Sequence, residues 1–177
     1  MNKKQILGIG LIIGLIVIYV AFNFYQKIYG ESVVKQGFIL VKTGYSIDEL
    51  STYLKPYIKD IEDFKWVAKQ KSYTKIRAGK FEIKKGISNN DLINHLRVGK
   101  QTPVKVVFNN QDTLEKLAGR IAPQIEADSL EILSAITDKK FLSKLGISRE
   151  EMLGRFIPNT YEFFWNTSGV GFRDRIL

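Results

Sequence analysis

The first apolar run in the chain is also its longest: residues 6–24 carry no charge and consist largely of Ile, Leu, Val and Gly. At a helical rise of about 1.5 Å per residue this run spans roughly 28 Å, the hydrocarbon thickness of a bilayer. It predicts a transmembrane helix. Lys3 and Lys4 precede the run and Lys27 follows it, a bias that leaves the N-terminus in the cytoplasm and the rest of the chain outside. Tyr19, Tyr25 and Tyr29 suit an interfacial aromatic belt. The run is too long for the apolar region of a signal peptide, and no Ala-x-Ala cleavage site follows it.

Beyond the anchor the pattern alternates between periods of two and of about four. Phe38, Ile39, Leu40 and Val41 read as a short strand, and Ser46 with Glu49 as a capping box that starts a helix carrying Ile47, Leu50 and Leu54 inward. Pro56 stops that helix. Asp60 opens the next, with Ile61, Phe64, Val67 and Ala68 inward. Phe81 and Ile83 alternate with charged neighbours as a strand does, and Ser88 with Asp91 begins a helix with Leu92, Ile93 and Leu96 on one face and Gly99 as its stop. Residues 101–108 form a strand in which Val104, Val106 and Phe108 alternate. Asp112 or Thr113 then caps a helix bearing Leu114, Leu117, Ala118 and Ile121 that Pro123 ends. Helices follow over 127–137 and Lys139–Leu145, with Gly146 as C-cap and a second capping box at Ser148 and Glu151. Phe172 and Ile176 have the spacing of one helical turn.

Composition narrows the classes of function. There is no cysteine, which removes disulfide staples and thiolate chemistry. The formal charge is +9, and without Lys3, Lys4 and Lys27 the remaining 24 basic and 18 acidic residues leave +6. These charges are scattered rather than gathered on an arm or reading element, so nucleic acid is not an expected partner. Mild basicity suits a diffuse polyanion such as peptidoglycan or anionic headgroups. The only histidine, His95, has Asp91 alone within helical reach, which is insufficient for a metal site, and neither metal nor cofactor is expected.

The candidate chemistry lies in residues 154–168. Tyr161, Phe163, Phe164 and Trp165 fall within five positions, interleaved with Asn159, Thr160, Glu162 and Asn166. Aromatic faces that stack on pyranose rings, beside amides and carboxylates that grip hydroxyls, are the chemistry of a sugar-binding cleft. Asn159, Thr160, Tyr161, Glu162, Trp165 and Asn166 are therefore the substrate-binding candidates. A buried strand explains the same composition. Alternation places Tyr161, Phe163 and Trp165 on one face, with Phe156, Ile157 and Phe163 expected in the core and Tyr161 nearer the cleft. Packing among Tyr161, Phe163 and Phe164 would desolvate Glu162, whereas a place on the outer face of the strand would leave it in water; in either case it is assigned to substrate binding or site support rather than to catalysis.

Phe156-Ile157-Pro158-Asn159-Thr160-Tyr161 resembles the Phe-x-Pro-Asp/Asn-Thr-Tyr signature of the endolytic murein transglycosylases, the MltG or YceG-like family. The residues from Tyr161 to Ser168 resemble its Bacteroidetes branch. The anchor, then Ala78-Gly79-Lys80-Phe81-Glu82-Ile83, then residues 88–99, then Val107-Phe108-Asn109-Asn110-Gln111 fall in the family's order, so the resemblance covers nearly all of the chain. It implies an α+β protein: a cytoplasmic tail over residues 1–5, a transmembrane anchor over 6–24, a linker over 25–37, a LysM-like module over 38–100, and the first part of a mixed α/β catalytic domain over 101–177. It further implies cleavage of the MurNAc-β-1,4-GlcNAc bonds of nascent glycan strands, leaving 1,6-anhydroMurNAc ends, at the outer face of the cytoplasmic (inner) membrane. Peptidoglycan is then the partner, with cell-wall synthases beside it.

Two departures bear on catalysis. The family's catalytic Glu lies in an Ile-Ile-Glu-Lys-Glu-Thr-like helix C-terminal to the signature, and these 177 residues contain no such motif. The general acid/base is therefore expected beyond Leu177, the chain reads as the N-terminal part of a longer protein, and this fragment is expected to be inactive. Leu153 stands where many members carry a Glu. The rival reading is a non-catalytic, membrane-anchored peptidoglycan-binding or cell-wall scaffold protein.

Overall fold

The apolar run becomes one continuous helix, α1 (Lys3–Tyr29), in a computed structural model that describes residues 3–177. The helix outruns the charge-free stretch to Tyr29, and the N–H of the next residue, Gly30, still donates in helical register to the carbonyl of Gln26 at 2.8 Å. The large side chains between Leu7 and Phe24 that the structure describes are exposed. Among the described residues α1 alone is long and apolar enough to cross a membrane.

The chain forms two compact units. The first holds α1 with Tyr45–Ile76 and Ile83–Gly99; the second holds Phe38–Gly44, Arg77–Glu82 and Lys100–Leu177. In the first unit the predicted starts are all present: Ser46 caps α2 (Ile47–Leu54) through a full capping box, Asp60 caps α3 (Ile61–Gln70), and Ser88 caps α4 (Asn89–Val98). Their inward stripes, including Leu50, Leu54, Phe64, Val67, Leu92, Ile93 and Leu96, are buried. The buried Asn89 fastens α1 to this unit, donating to the carbonyl of Lys27 at 3.0 Å while its own carbonyl accepts the Ser32 hydroxyl at 2.6 Å. Lys27 pairs with Asp63 at 2.6 Å, and Phe24 packs on Trp66.

Strands β1 (Gly37–Val41) and β2 (Gly79–Ile83) pair with each other; the elements follow in the order strand, helix, helix, strand, most of both strands belonging to the second unit and α2 and α3 to the first. In the second unit β3 (Val104–Phe108) and β4 (Asn159–Phe163) run antiparallel, with Val104 opposite Phe163, Val106 opposite Tyr161 and Phe108 opposite Asn159. Between them come α5 (Leu114–Ile121), a 3-10 turn at Ala122–Gln124, α6 (Ser129–Ile136), α7 (Lys139–Leu145), α8 (Arg149–Met152) and a second 3-10 turn at Leu153–Arg155; α9 (Gly169–Ile176) follows β4. Thr113, not Asp112, caps α5, because Asp112 is drawn to Lys116 at 2.6 Å. Helix α6 is shorter than the apolar pattern suggests, since Asp128 turns its carboxylate back onto the N–H of Glu131. The core of this unit is aromatic. Phe172, fully buried, lies 5.3 Å from Phe163, 6.2 Å from Phe156 and 6.5 Å from Phe108, measured between ring centroids. α9 meets α6 closely at Gly169, where a Cβ would fall 2.6 Å from the carbonyl oxygen of Glu131.

Candidate functional site

The aromatic stretch leaves the 3-10 turn with Phe156 dropped into the core and Ile157 turned to solvent, 68% exposed. The expectation that Ile157 is buried is thus corrected. Pro158 forces the residue before it into extended backbone, and extended geometry points successive side chains to opposite sides. Phe156 holds the inward position, so Ile157 takes the outward one.

In β4 the same alternation separates the candidates. Tyr161 and Phe163 face the core. Tyr161 is half-buried, its ring stacked on Phe108 at 5.6 Å and 12°, and its hydroxyl donates to the carbonyl of Ile157 at 2.8 Å. The opposite face carries Thr160 and Glu162, both exposed, across from Val107 and Lys105 of β3. Phe164, just past the strand, is also exposed. This face therefore offers a hydroxyl, a carboxylate, an ammonium group directly opposite it, and a free ring. Glu162 is open to water, so the apolar packing expected to desolvate it is absent.

Asn159 begins the strand and curls its side-chain carbonyl onto the N–H of Thr160 at 2.7 Å, fixing the turn after Pro158. Trp165 and Asn166, both half-buried, lie in the turn beyond β4, which Thr167 closes by giving its N–H and hydroxyl to the carbonyl of Phe164. The structure thus brings Thr160 and Glu162 together on one face, sets Tyr161 on the other, and places Asn159 and the Trp165–Asn166 pair at opposite ends of the strand.

Two supporting residues escaped the sequence reading. Glu126 donates its N–H to the carbonyl of Trp165 at 2.7 Å, and its two carboxylate oxygens accept the N–H and hydroxyl of Thr43 at 2.6 and 2.7 Å. Gln124 lies along β3 like a further strand: its side-chain carbonyl accepts the N–H of Val107 at 2.8 Å and its amide donates to the Val107 carbonyl at 2.9 Å. Neither carries a local pattern, because each bond spans a long sequence distance. Phe164 and Lys105 were findable, since a strand that buries Tyr161 and Phe163 must expose their neighbours. Among the described residues no group of three His, Asp or Glu could hold a metal ion. His95 lies on α4 in the first unit.

The model of the YceG-like family matches residues 39–177, from β1 through α9 and including the signature around Pro158. The chain belongs to the YceG-like family. α1 lies outside the matched residues. A solved structure of a YceG-like protein from Listeria monocytogenes is similar with a TM-score of 0.45 and 21% identity, over 73% of this chain. The chain spans about half, 48%, of that structure's length. No curated protein matches the chain.

Proposed function

We propose that this YceG-like chain is the anchor and glycan-holding part of an endolytic peptidoglycan transglycosylase. The observation that carries the reading is the family match running through the Phe156–Tyr161 signature into β4, whose outward face presents Thr160 and Glu162, with Phe164 exposed just beyond it. In this reading α1 crosses the cytoplasmic membrane once with its N-terminus inside. The strand-helix-helix-strand segment is a LysM-like module, and β4 with the turn at Trp165 and Asn166 grips the glycan. The reaction needs one carboxyl group, which protonates the leaving glycosidic oxygen and then takes the proton of the muramyl 6-hydroxyl as that oxygen attacks the anomeric carbon. That group is a Glu outside these residues, and Glu162 binds rather than catalyses. Cell-wall synthases, which make the nascent strands, are the expected neighbours.

The test uses the full chain in detergent with purified peptidoglycan. Glycan strands should be retained and no 1,6-anhydro ends released. Trp165→Ala should weaken retention by about 1–3 kcal/mol, the scale of a lost aromatic contact, with an unchanged melting temperature. Failure of the wild-type chain to retain glycan would sink the reading, and release of anhydro ends would place the general acid within these residues.

A further inference from the structure

The outer end of α1 opens into a cleft of about 440 Å³, lined on the helix side by Asn23, Gln26 and Lys27 and on the other by Glu31, Lys59, Asp60 and Asp63. Its depth is set by the helix. If the charge-free run over residues 6–24 fills the hydrocarbon core, the turn after it, with Gln26 and Lys27, rises through the headgroup layer, roughly 5–8 Å thick on each side. The rings at this level, Phe24 on Trp66 at 5.4 Å and Tyr25 on Tyr29 at 5.2 Å, are of the types that settle at a membrane interface.

The charges of the cleft are not equivalent. Lys27 is neutralised by Asp63 and lies over the Trp66 ring. Asp60 spends one oxygen capping α3, accepting the N–H groups of Glu62 and Asp63. Among the described residues the side chains of Glu31 and Lys59 make no ion pair, so one carboxylate and one ammonium group of the cleft stand unmatched. Asn89 holds the walls in register by tying the Lys27 carbonyl to Ser32.

We propose that this cleft binds the headgroup of a zwitterionic aminophospholipid, its phosphate on Lys59 and its ammonium on Glu31 and the free oxygen of Asp60. With three carboxylates against two ammonium groups, the cleft disfavours a purely anionic headgroup. The inference rests on the membrane-spanning reading of α1.

The experiment places the full chain in nanodiscs of equal phosphatidylethanolamine and phosphatidylglycerol and counts the lipids that stay bound on release, by native mass spectrometry. Phosphatidylethanolamine should be retained about fivefold over phosphatidylglycerol, the scale of one charge contact near a membrane surface. Glu31→Lys should abolish or invert the preference, and Lys59→Glu should lower retention of both lipids. Equal retention by the wild-type chain, or an unchanged preference in Glu31→Lys, would overturn the site while leaving the anchor reading intact. A chain that does not enter nanodiscs would overturn both. Soluble phosphoethanolamine should compete only at millimolar concentration; displacement at micromolar concentration would assign the cleft to a free phosphoamine and overturn the lipid assignment.

Discussion

The two units place most of their aromatic residues differently. In the second, Phe108, Phe156, Phe163 and Phe172 converge on one buried centre. In the first, the interior is largely aliphatic around Phe64 and Tyr73, whereas Tyr45, Tyr53, Tyr57 and Trp66 are half-buried at its surface and Tyr25 and Tyr29 exposed. Lysines sit over two of these rings, Lys35 over Tyr57 and Lys27 over Trp66, each at 5.6 Å. The phenol hydroxyl explains much of the difference. A ring without a polar atom can be enclosed on all sides, while a tyrosine needs water or an acceptor at its tip. Tyr161 is the intermediate case: its ring joins the second unit's core and its hydroxyl finds the carbonyl of Ile157.

The sharpest test of this contrast is Phe172→Ala, which should cost about 3–5 kcal/mol, the usual penalty for a large cavity in an aromatic core. It is read as a lowered denaturation midpoint of the full chain in detergent, with Tyr57→Ala as the surface counterpart. Equal losses would erase the distinction between the units. Gly169→Ala comes next, at about 1–3 kcal/mol, because the new methyl group meets the rigid backbone of α6 at Glu131 rather than a side chain that can swing away. An unchanged midpoint would show that α9 can shift without loss. Tyr161→Phe keeps the ring and removes only the hydroxyl bond, so about 0.5–1.5 kcal/mol is expected; a neutral result would mean the ring alone holds the strand.

The smallest effect is on acid stability and is common to both units. Glu49 and Glu151 close the capping boxes of α2 and α8, and the main-chain N–H groups of Ser46 and Ser148, then their hydroxyls, hold both carboxyl groups below the ordinary carboxylate value of 4.5. The unfolded chain therefore takes up protons first as pH falls. This stabilisation is complete above about pH 4.5 and fades as pH drops through the lowered folded values. In melting curves taken from about pH 6 down to pH 3, the double variant Glu49→Gln, Glu151→Gln should lose less of its melting temperature than the wild-type chain. An identical acid slope would show that neither carboxylate contributes.

Local rules were the most legible part of the chain. Both capping boxes, the caps at Asp60 and Ser88, and the left-handed Gly146 that ends α7 each depend on residues within one turn of one another. Alternation likewise sorted Tyr161 and Phe163 from Thr160 and Glu162. Ile157 was misplaced because the alternation restarts at Phe156, just past the 3-10 turn: Phe156 takes the inward position and leaves its neighbour outward. The ties from Glu126 to Thr43 and Trp165, and from Gln124 to Val107, join distant positions through single polar groups that no hydrophobic pattern marks.

The pairing of Gln124 with Val107 also decides how the small sheet can grow. A side-chain amide occupies the main-chain groups of Val107 on the outer margin of β3, and on the far margin of β4 the N–H of Thr160 is taken by the side-chain carbonyl of Asn159. An added strand would meet a main-chain group already engaged by a side chain on either margin, which blunts both edges of the ribbon.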